Sequence, residues 1–350
     1  MLYDTFEHAY VDLLTRVRDQ PEFANAPRGY RSRELLGVSY RLRRPRERVI
    51  AIGARRANLV FQFAEALWYL SGSSSLEFIR FYAPSMARYS ADGRTLRGTA
   101  YGPRIFQCGG AAFSQWDSVI RTLRDDPDSK RALIQIFAPE ELLVADNIDV
   151  ACTIGLQYVI RDGALHALTF MRANDAYRGA VSDVFSFTFL QELLAHQLGL
   201  ALGSYTHVAG SYHLYATDDA QADRVLAGRA HRVSDAAFPV MPAGDNWPAV
   251  HEVLALEGAL RGGRLVLDRR ALDQLGLPPY WAQIVALLAL HARRQHGAPT
   301  DVELVASLCP LYAALVASCW RDVAVVAAAR GARFDPAIAP AIANPMEDPS

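Results

Sequence analysis

The chain has 350 residues, of which 51% are hydrophobic, and a net charge of −1 with histidine neutral. That length and apolar content suffice for the packed core of one large or two smaller domains. A balance so near zero excludes a general positive field for polymeric nucleic acid or an anionic membrane, so any anion must be bound locally.

Phe6, Tyr10, Leu13 and Leu14 recur at helical spacing and predict a helix over 4–19. The basic stretch 28–48 contains the strand-like run Val38-Ser39-Tyr40-Arg41-Leu42. Residues 59–70 are apolar on nearly every face, which predicts a buried helix closed by Gly72. Glu65 lies within it on the face of Phe61 and Trp68, so its carboxyl must be paired, protonated or functional. Residues 132–137, 153–160 and 165–171 are β-rich, with Asp162-Gly163 as a hairpin turn between the last two. A second buried helix is predicted over 184–198 and a further strand over 207–215. His213 and Tyr215 then share a face of that strand, either lining a pocket or satisfied in the core. Strands and long helices without regular βαβ alternation predict an α+β fold.

After Pro242, residues 249–261, 279–295 and 300–330 predict three Ala-, Leu- and Val-rich helices, with Thr300 as an N-cap. The expected division is a main domain over 1–245, a helical extension over 246–340 and a tail over 341–350. The longest uncharged apolar run, 305–320, is broken by Pro310 and falls short of the roughly 20 residues that span a bilayer, so no membrane partner is expected. Met1-Leu2-Tyr3-Asp4 does not read as a secretory signal, and the expected location is cytoplasmic. Cys108, Cys152, Cys309 and Cys319 form no CxxC pair and have no histidine at zinc-ligand spacing, so neither a metal nor a disulfide framework is expected. All but one of the 36 lysines and arginines are arginine, and the exception is Lys130, beside Arg131.

The chemistry concentrates in residues 151–183. Ala151-Cys152-Thr153 opens one strand, Met171-Arg172-Ala173-Asn174-Asp175 ends the next, and Asp183 stands at the head of an apolar helix. A thiol, a guanidinium and two carboxylates therefore meet at neighbouring element ends. Such a set can attack an electron-poor ring, hold an anion and read a base edge. Cys152 is a candidate nucleophile, because Arg172 would favour thiolate over thiol, or else a cysteine that merely packs. Asp183, following Ser182, is equally placed as an ordinary N-cap.

In order and spacing, Glu65-Ala66-Leu67-Trp68-Tyr69-Leu70, Tyr101-Gly102, Asp126-Pro127-Asp128-Ser129-Lys130-Arg131, Cys152 with Gln157-Tyr158, Arg172-Ala173-Asn174-Asp175, Gly179 and His213-Leu214-Tyr215 resemble the thymidylate synthase family over residues 28–220. The resemblance implies a homodimer with sheets packed back to back, a nucleotide substrate, and methylenetetrahydrofolate as co-substrate without a metal. It implies that Cys152 adds to pyrimidine C6, that Arg172 binds phosphate, and that Lys130 and Arg131 reach the phosphate in the partner's active site. His213 and Tyr215 match positions that hold the sugar hydroxyl, Glu65 the carboxylate that orders water and moves protons, Tyr101 a residue near the nucleophile, and Asp175 a folate contact. Arg28, in the basic N-terminal loop, is the choice for a further phosphate clamp.

The chain also departs from that pattern. Asp183 stands where the synthases read the base with Asn; a carboxyl suits cytosine, accepting from N4 and, when protonated, donating to N3. Thr153 follows Cys152 where His is usual, and Cys-Thr with Gln-Tyr resembles the hydroxymethylase branch, in which water captures the one-carbon unit. Ala173 replaces a Ser and Lys130 an Arg, which removes bulk and a rigid fork beside the sugar and phosphate and could admit a 2′-hydroxyl. CMP is therefore expected over dCMP, as in the CMP-hydroxymethylating enzymes of mildiomycin-type nucleoside antibiotic pathways. Met86, Ala87 and Tyr89 stand in place of a tryptophan pair before Tyr101. The alternatives are a dCMP hydroxymethylase, a thymidylate synthase acting on dUMP, a non-enzymatic nucleotide- or RNA-binding regulator, and a thiol hydrolase using Cys152 and His213.

Overall fold

The structure, a computed structural model, describes residues 1–107 and 113–329; Cys108 and the expected tail over 341–350 lie outside them. The N-terminal helix α1 (Phe6–Asp19) begins where the Thr5 hydroxyl accepts the His8 amide at 3.4 Å, and it buries Phe6, Tyr10, Leu13 and Leu14. Then follow α2 (Leu59–Leu70), α3 (Leu76–Tyr82), α4 (Tyr101–Phe106), α5 (Gln115–Asp125), α6 (Gly179–Gln197) and α7 (Asp219–Ala227). Helix α6 starts earlier than its apolar run suggests, so Asp183 is a full turn inside it and is not its N-cap. Glu192, buried on α6, is held by Arg46 at 2.7 Å and by Arg48, which anchors the helix against the chain after the third strand.

Seven strands form one mixed sheet: β1 (Leu2–Tyr3), β2 (Phe23–Asn25), β3 (Ser32–Leu42), β4 (Leu133–Gln135), β5 (Thr153–Arg161), β6 (Ala164–Asp175) and β7 (Ala201–Tyr215). Their order is β1-β3-β7-β6-β5-β4, with β2 on β3. Asp162 and Gly163, at φ 51° and 72°, make the two-residue turn between β5 and β6; both angles are what a type I′ hairpin requires. The pairs β6/β7 and β1/β3 are parallel and the rest antiparallel. A parallel neighbour needs a crossover, and α6 supplies it between β6 and β7, burying one face of the sheet. On the other face Val159, Leu168, Phe170, Leu202 and Val208 alternate with buried positions and stay half-buried. Helices packed on a mixed sheet give the α+β class that the sequence predicts.

The C-terminal part consists of α8 (Trp247–Arg261), α9 (Arg269–Gln274), α10 (Pro279–Gln295), α11 (Val302–Ala306), α12 (Pro310–Cys319) and α13 (Arg321–Ala329). The single helix expected over 300–330 is thus three: Pro310 opens a new helix as its first residue, and the chain turns again at Trp320. Asp301 rather than Thr300 caps α11, accepting the Leu304 amide at 2.8 Å, while the Thr300 hydroxyl donates to Asp322. Helices α8, α10 and α12 lie against α2. Phe63 of α2 meets Tyr312 edge to face at 5.6 Å, and Arg56 donates to the carbonyls of Ser318 (3.2 Å) and Cys319 (3.1 Å). That cover explains why α2 can be apolar all round. No helix among the described residues is long and apolar enough to cross a membrane.

Candidate active site

Cys152 sits at the mouth of β5 because two clamps fix the chain before it. The Asp149 carboxylate accepts the amides of Arg97 (2.7 Å), Gly98 (2.9 Å) and Thr99 (2.9 Å), and Glu141 accepts that of Ala151 at 2.6 Å. The approach at Gly98 leaves no room for a side chain: a Cβ there would stand 1.9 Å from the Asp149 carbonyl oxygen. Segment 97–99 leads directly into α4, so the same clamp sets Tyr101 beside Cys152. Tyr101 stacks on Tyr69 of α2 at 5.0 Å and on Phe187 of α6 at 6.1 Å, which builds an aromatic wall next to the thiol.

Arg172, exposed near the end of β6, donates from Nε to the Ala151 carbonyl and from Nη2 to that of Val150, both at 2.9 Å. Nη2 also lies 3.6 Å from Cys152 Sγ. The expectation that Arg172 favours the thiolate holds for that pair, but it does not decide the balance. Burial is the largest influence on Cys152, Asp183 and Asp149 add to it, and together they outweigh Arg172 and Arg28, so the thiol is held above its ordinary pKa.

Glu65 projects from α2, almost wholly buried, and its Oε2 accepts from the Ser186 hydroxyl at 3.0 Å. Burial pushes its pKa up to about 7 against the hydrogen bonds from Ser186 and Tyr69. Asp183 comes from the next turn of α6. Burial first, then the nearby Glu65, hold its carboxyl well above the usual range, against a hydrogen bond from Asn174. That bond runs from Asn174 Nδ2 to Asp183 Oδ2 at 2.7 Å. In its protonated form, which this burial favours, a carboxyl has one donor and one acceptor edge, which is what reading a pyrimidine demands.

Asp175 Oδ1 accepts the amides of Tyr177 and Arg178, both at 2.8 Å, and so shapes the turn into α6. His213 and Tyr215 on β7 pack edge to face at 4.9 Å, and Tyr30 meets Tyr215 at 6.3 Å. Burial holds the His213 pKa down, with Asp175 and Glu34 opposing. Arg28, in the left-handed region at φ 54°, hydrogen-bonds Tyr215 and influences Cys152, so the N-terminal loop reaches these residues. Cys152, Ala173, Asp175, Asp183, His213 and Tyr215 all keep partial exposure, at the start of β5, the ends of β6 and β7 and the beginning of α6.

Lys130 and Arg131 are not brought there. Gln157 Nε2 donates to the Lys130 carbonyl at 2.8 Å and Arg161 to that of Asp128 at 3.3 Å, which places this basic pair about 13 Å or more along β5 from Cys152. Both side chains are exposed.

Three contributors escape a reading of the sequence: Asp149, which no motif contains; Ser186, one turn along α6 from Asp183; and Asn174, which lies inside a motif that was read only for its neighbours. Helical spacing between positions 183 and 186 was the signal available for Ser186.

Residues 8–240 match the model of the family described as thymidylate synthase. The chain is 30% identical over 223 residues to a deoxyuridylate hydroxymethyltransferase of Bacillus phage SP01, covering 60% of this chain and 57% of that protein. It is 33% identical over 204 residues to the protein of that name in Delftia phage PhiW-14 (55% and 56%), and 31% identical over 178 residues to that of Pseudomonas phage M6 (49% of each). It therefore spans about half the length of these relatives.

Proposed function

Because the chain belongs to the thymidylate synthase family, we propose that it is a cytidylate 5-hydroxymethylase, with CMP as nucleotide and methylenetetrahydrofolate as co-substrate. The observation that carries this reading is the Asp183 carboxyl, tied through Oδ2 to Asn174 near Cys152, with burial raising its pKa and so favouring its protonated form. Oδ1 then offers a hydrogen to cytosine N3 while Oδ2 accepts from the N4 amino group. A base whose edge does not match leaves a buried group unpaired, at about 1–3 kcal/mol.

Cys152 forms a bond from sulfur to ring C6, which places an electron pair at C5. Methylenetetrahydrofolate supplies the one-carbon unit at the oxidation level of formaldehyde. C5 bonds that carbon and loses its proton to solvent, the bond from the carbon to the folate nitrogen breaks, and tetrahydrofolate leaves an exocyclic methylene on the ring. Water adds oxygen to the exocyclic carbon, Glu65 takes a proton from that water, and the C6–S bond breaks to release Cys152. An acid with a pKa of about 7 can hold or give up that proton near neutrality. Arg172 and Arg28 face the nucleotide's phosphate, and His213 and Tyr215 its sugar. The residues suit the co-substrate: Asp175 uses Oδ1 for two amides and has its second oxygen left as an acceptor for a ring N–H, and Tyr89 lies close to Tyr215.

Lys130 and Arg131 would complete the phosphate site of a second copy. Their distance from Cys152 in their own chain and the half-buried face of β5, β6 and β7, where Val159, Leu168, Phe170 and Val208 are interleaved with Gln157, His166 and Thr206, support a homodimer packed through that face. The short Ala173 and the single Lys130 support the ribonucleotide over dCMP, and a nucleoside antibiotic pathway is the setting proposed for the product.

A second reading has its own support: the relatives bear the name deoxyuridylate hydroxymethyltransferase. Mass spectrometry of the products from CMP, dCMP, UMP and dUMP with methylenetetrahydrofolate decides between the two. 5-Hydroxymethyl-CMP as main product is expected, 5-hydroxymethyl-dUMP would establish the second reading, and a product carrying a methyl group would overturn both. Ala173→Ser is expected to raise turnover of dCMP relative to CMP.

A further inference from the structure

Behind Asp183 a line of hydrogen bonds runs into the core. Asn174 Nδ2 donates to Asp183 Oδ2 at 2.7 Å, Asn174 Oδ1 faces His207 Nε2 at 3.0 Å, and His207 Nδ1 faces the Tyr205 hydroxyl at 2.9 Å. The four residues come from α6, β6 and β7, and the three behind Asp183 are no more than 2% exposed, so water has no access with which to replace a missing partner.

We propose that Asn174, oriented by His207 and Tyr205, is the positioning residue that decides which oxygen of Asp183 accepts and which presents a hydrogen to the pyrimidine. The inference rests on the base-reading role given to Asp183 above.

An amide has its donor and its acceptor at opposite ends, so its orientation is all or none. Burial holds the His207 pKa down to about 3, and the ring is therefore neutral, with a single N–H. When that hydrogen is on Nε2, Asn174 must turn its oxygen toward the ring and its NH2 toward Asp183, and Tyr205 donates to Nδ1. Oδ2 is then an acceptor, and the hydrogen of the neutral carboxyl stays on Oδ1. In the opposite state His207 carries its hydrogen on Nδ1, the amide is reversed, and Asp183 spends its hydrogen on Asn174. Oδ1 is left with lone pairs alone, and cytosine N3 finds no donor. The stacking of His207 on Tyr40 at 5.1 Å and 25° holds the ring plane in either case, so the difference lies in hydrogen placement and not in shape. Among the described residues, the charged and titratable groups around Asp183 are Glu65 from α2, Asp175 from β6, Cys152 before β5, Tyr69, Tyr101, Tyr40 from β3 and Tyr205 from β7; none of them donates to Oδ2 in place of Asn174.

The test compares kcat/KM for CMP and UMP in the parent, in Asn174→Ala, in Asp183→Asn and in the double variant. Asn174→Ala is expected to lower the preference for CMP by about 10- to 100-fold, and to change little once Asp183 is already Asn. A loss equal for both nucleotides and in both backgrounds is what a merely structural Asn174 gives, and it would overturn the proposal. Nitrogen NMR of His207 in the free parent protein decides the point without turnover: the Nε2–H tautomer is expected at pH 7, and the Nδ1–H form or a doubly protonated ring would overturn the relay even if CMP is the substrate. A parent that turns over neither nucleotide but shows the Nε2–H tautomer would uphold the relay and remove the cytidylate reading instead.

Discussion

Arg172 Nη2 lies 3.6 Å from Cys152 Sγ, while the same guanidinium is spent on the carbonyls of Val150 and Ala151. The cation steadies the loop carrying the proposed nucleophile as much as it polarises the sulfur. With burial prevailing, the resting thiol is protonated at neutral pH. Alkylation of Cys152 by iodoacetamide is therefore expected to accelerate with pH beyond the ordinary thiol value of about 8.5, and Arg172→Ala to move that rise to still higher pH. A rate already at its plateau at pH 7 would contradict the charge balance.

Glu65 gives a prediction in which function and stability oppose each other. Its folded pKa of about 7 is above the unfolded value, so its contribution to stability is full at low pH and is lost as pH rises through 7. Glu65→Gln is expected to raise stability at pH 8 by up to about 3 kcal/mol, with a much smaller gain at pH 4, measured by urea unfolding. Turnover should fall by about 10²–10⁴-fold, and the pH-rate limb near 7 should vanish. A variant less stable than its parent at pH 8 would mean that Glu65 is charged and paired in the native state.

Asp183→Asn exchanges the hydroxyl donor for a fixed amide. Preference should move toward uridylates by about 10- to 100-fold, read as the ratio of kcat/KM for CMP and UMP. A variant that kept full activity on CMP would remove position 183 from base reading.

Gly98→Ala tests the clamp at Asp149. The added methyl collides with backbone and not with a flexible side chain, so both segments must separate. A loss of about 1–3 kcal/mol is expected, with reduced activity in whatever protein remains folded because Cys152 and Tyr101 move apart. Unchanged melting and turnover would show that the two segments are not held together as described.

Mixing subunits tests the proposed sharing of sites. Cys152→Ser and a Lys130→Ala/Arg131→Ala chain should each be inactive alone. Co-expressed, they should regain about a quarter of parental activity, because half of the dimers hold one intact site. Failure to regain activity in mixed dimers isolated with two different tags would refute the exchange.

What the sequence made legible was local. Cys152, Arg172 and Asp183 could be placed together because strand ends are countable from periodicity and the Asp162-Gly163 turn fixes how β5 and β6 pair, although α6 begins a full turn before Asp183. The Tyr205–His207–Asn174 line was hidden, because it depends on the parallel pairing of β6 with β7, which only the crossover through α6 creates. The sign of the Cys152 shift was missed for a similar reason: an arginine is visible in a string of residues, whereas the depth at which a sulfur lies is not. Helix ends in the C-terminal part depended on Asp301 and on the breaks at Pro310 and Trp320, where the apolar pattern runs on although the backbone does not.

The grip of Arg56 on Ser318 and Cys319, with Phe63 against Tyr312, makes α2 a party wall between two halves that look separable on paper. A chain cut near residue 245 would leave the helix of Glu65 with one apolar flank facing solvent, and the carboxyl would lose the dryness that lifts its pKa. The C-terminal helices thus bear on the proton transfer proposed for Glu65 by keeping water away from the far side of the helix that carries the acid.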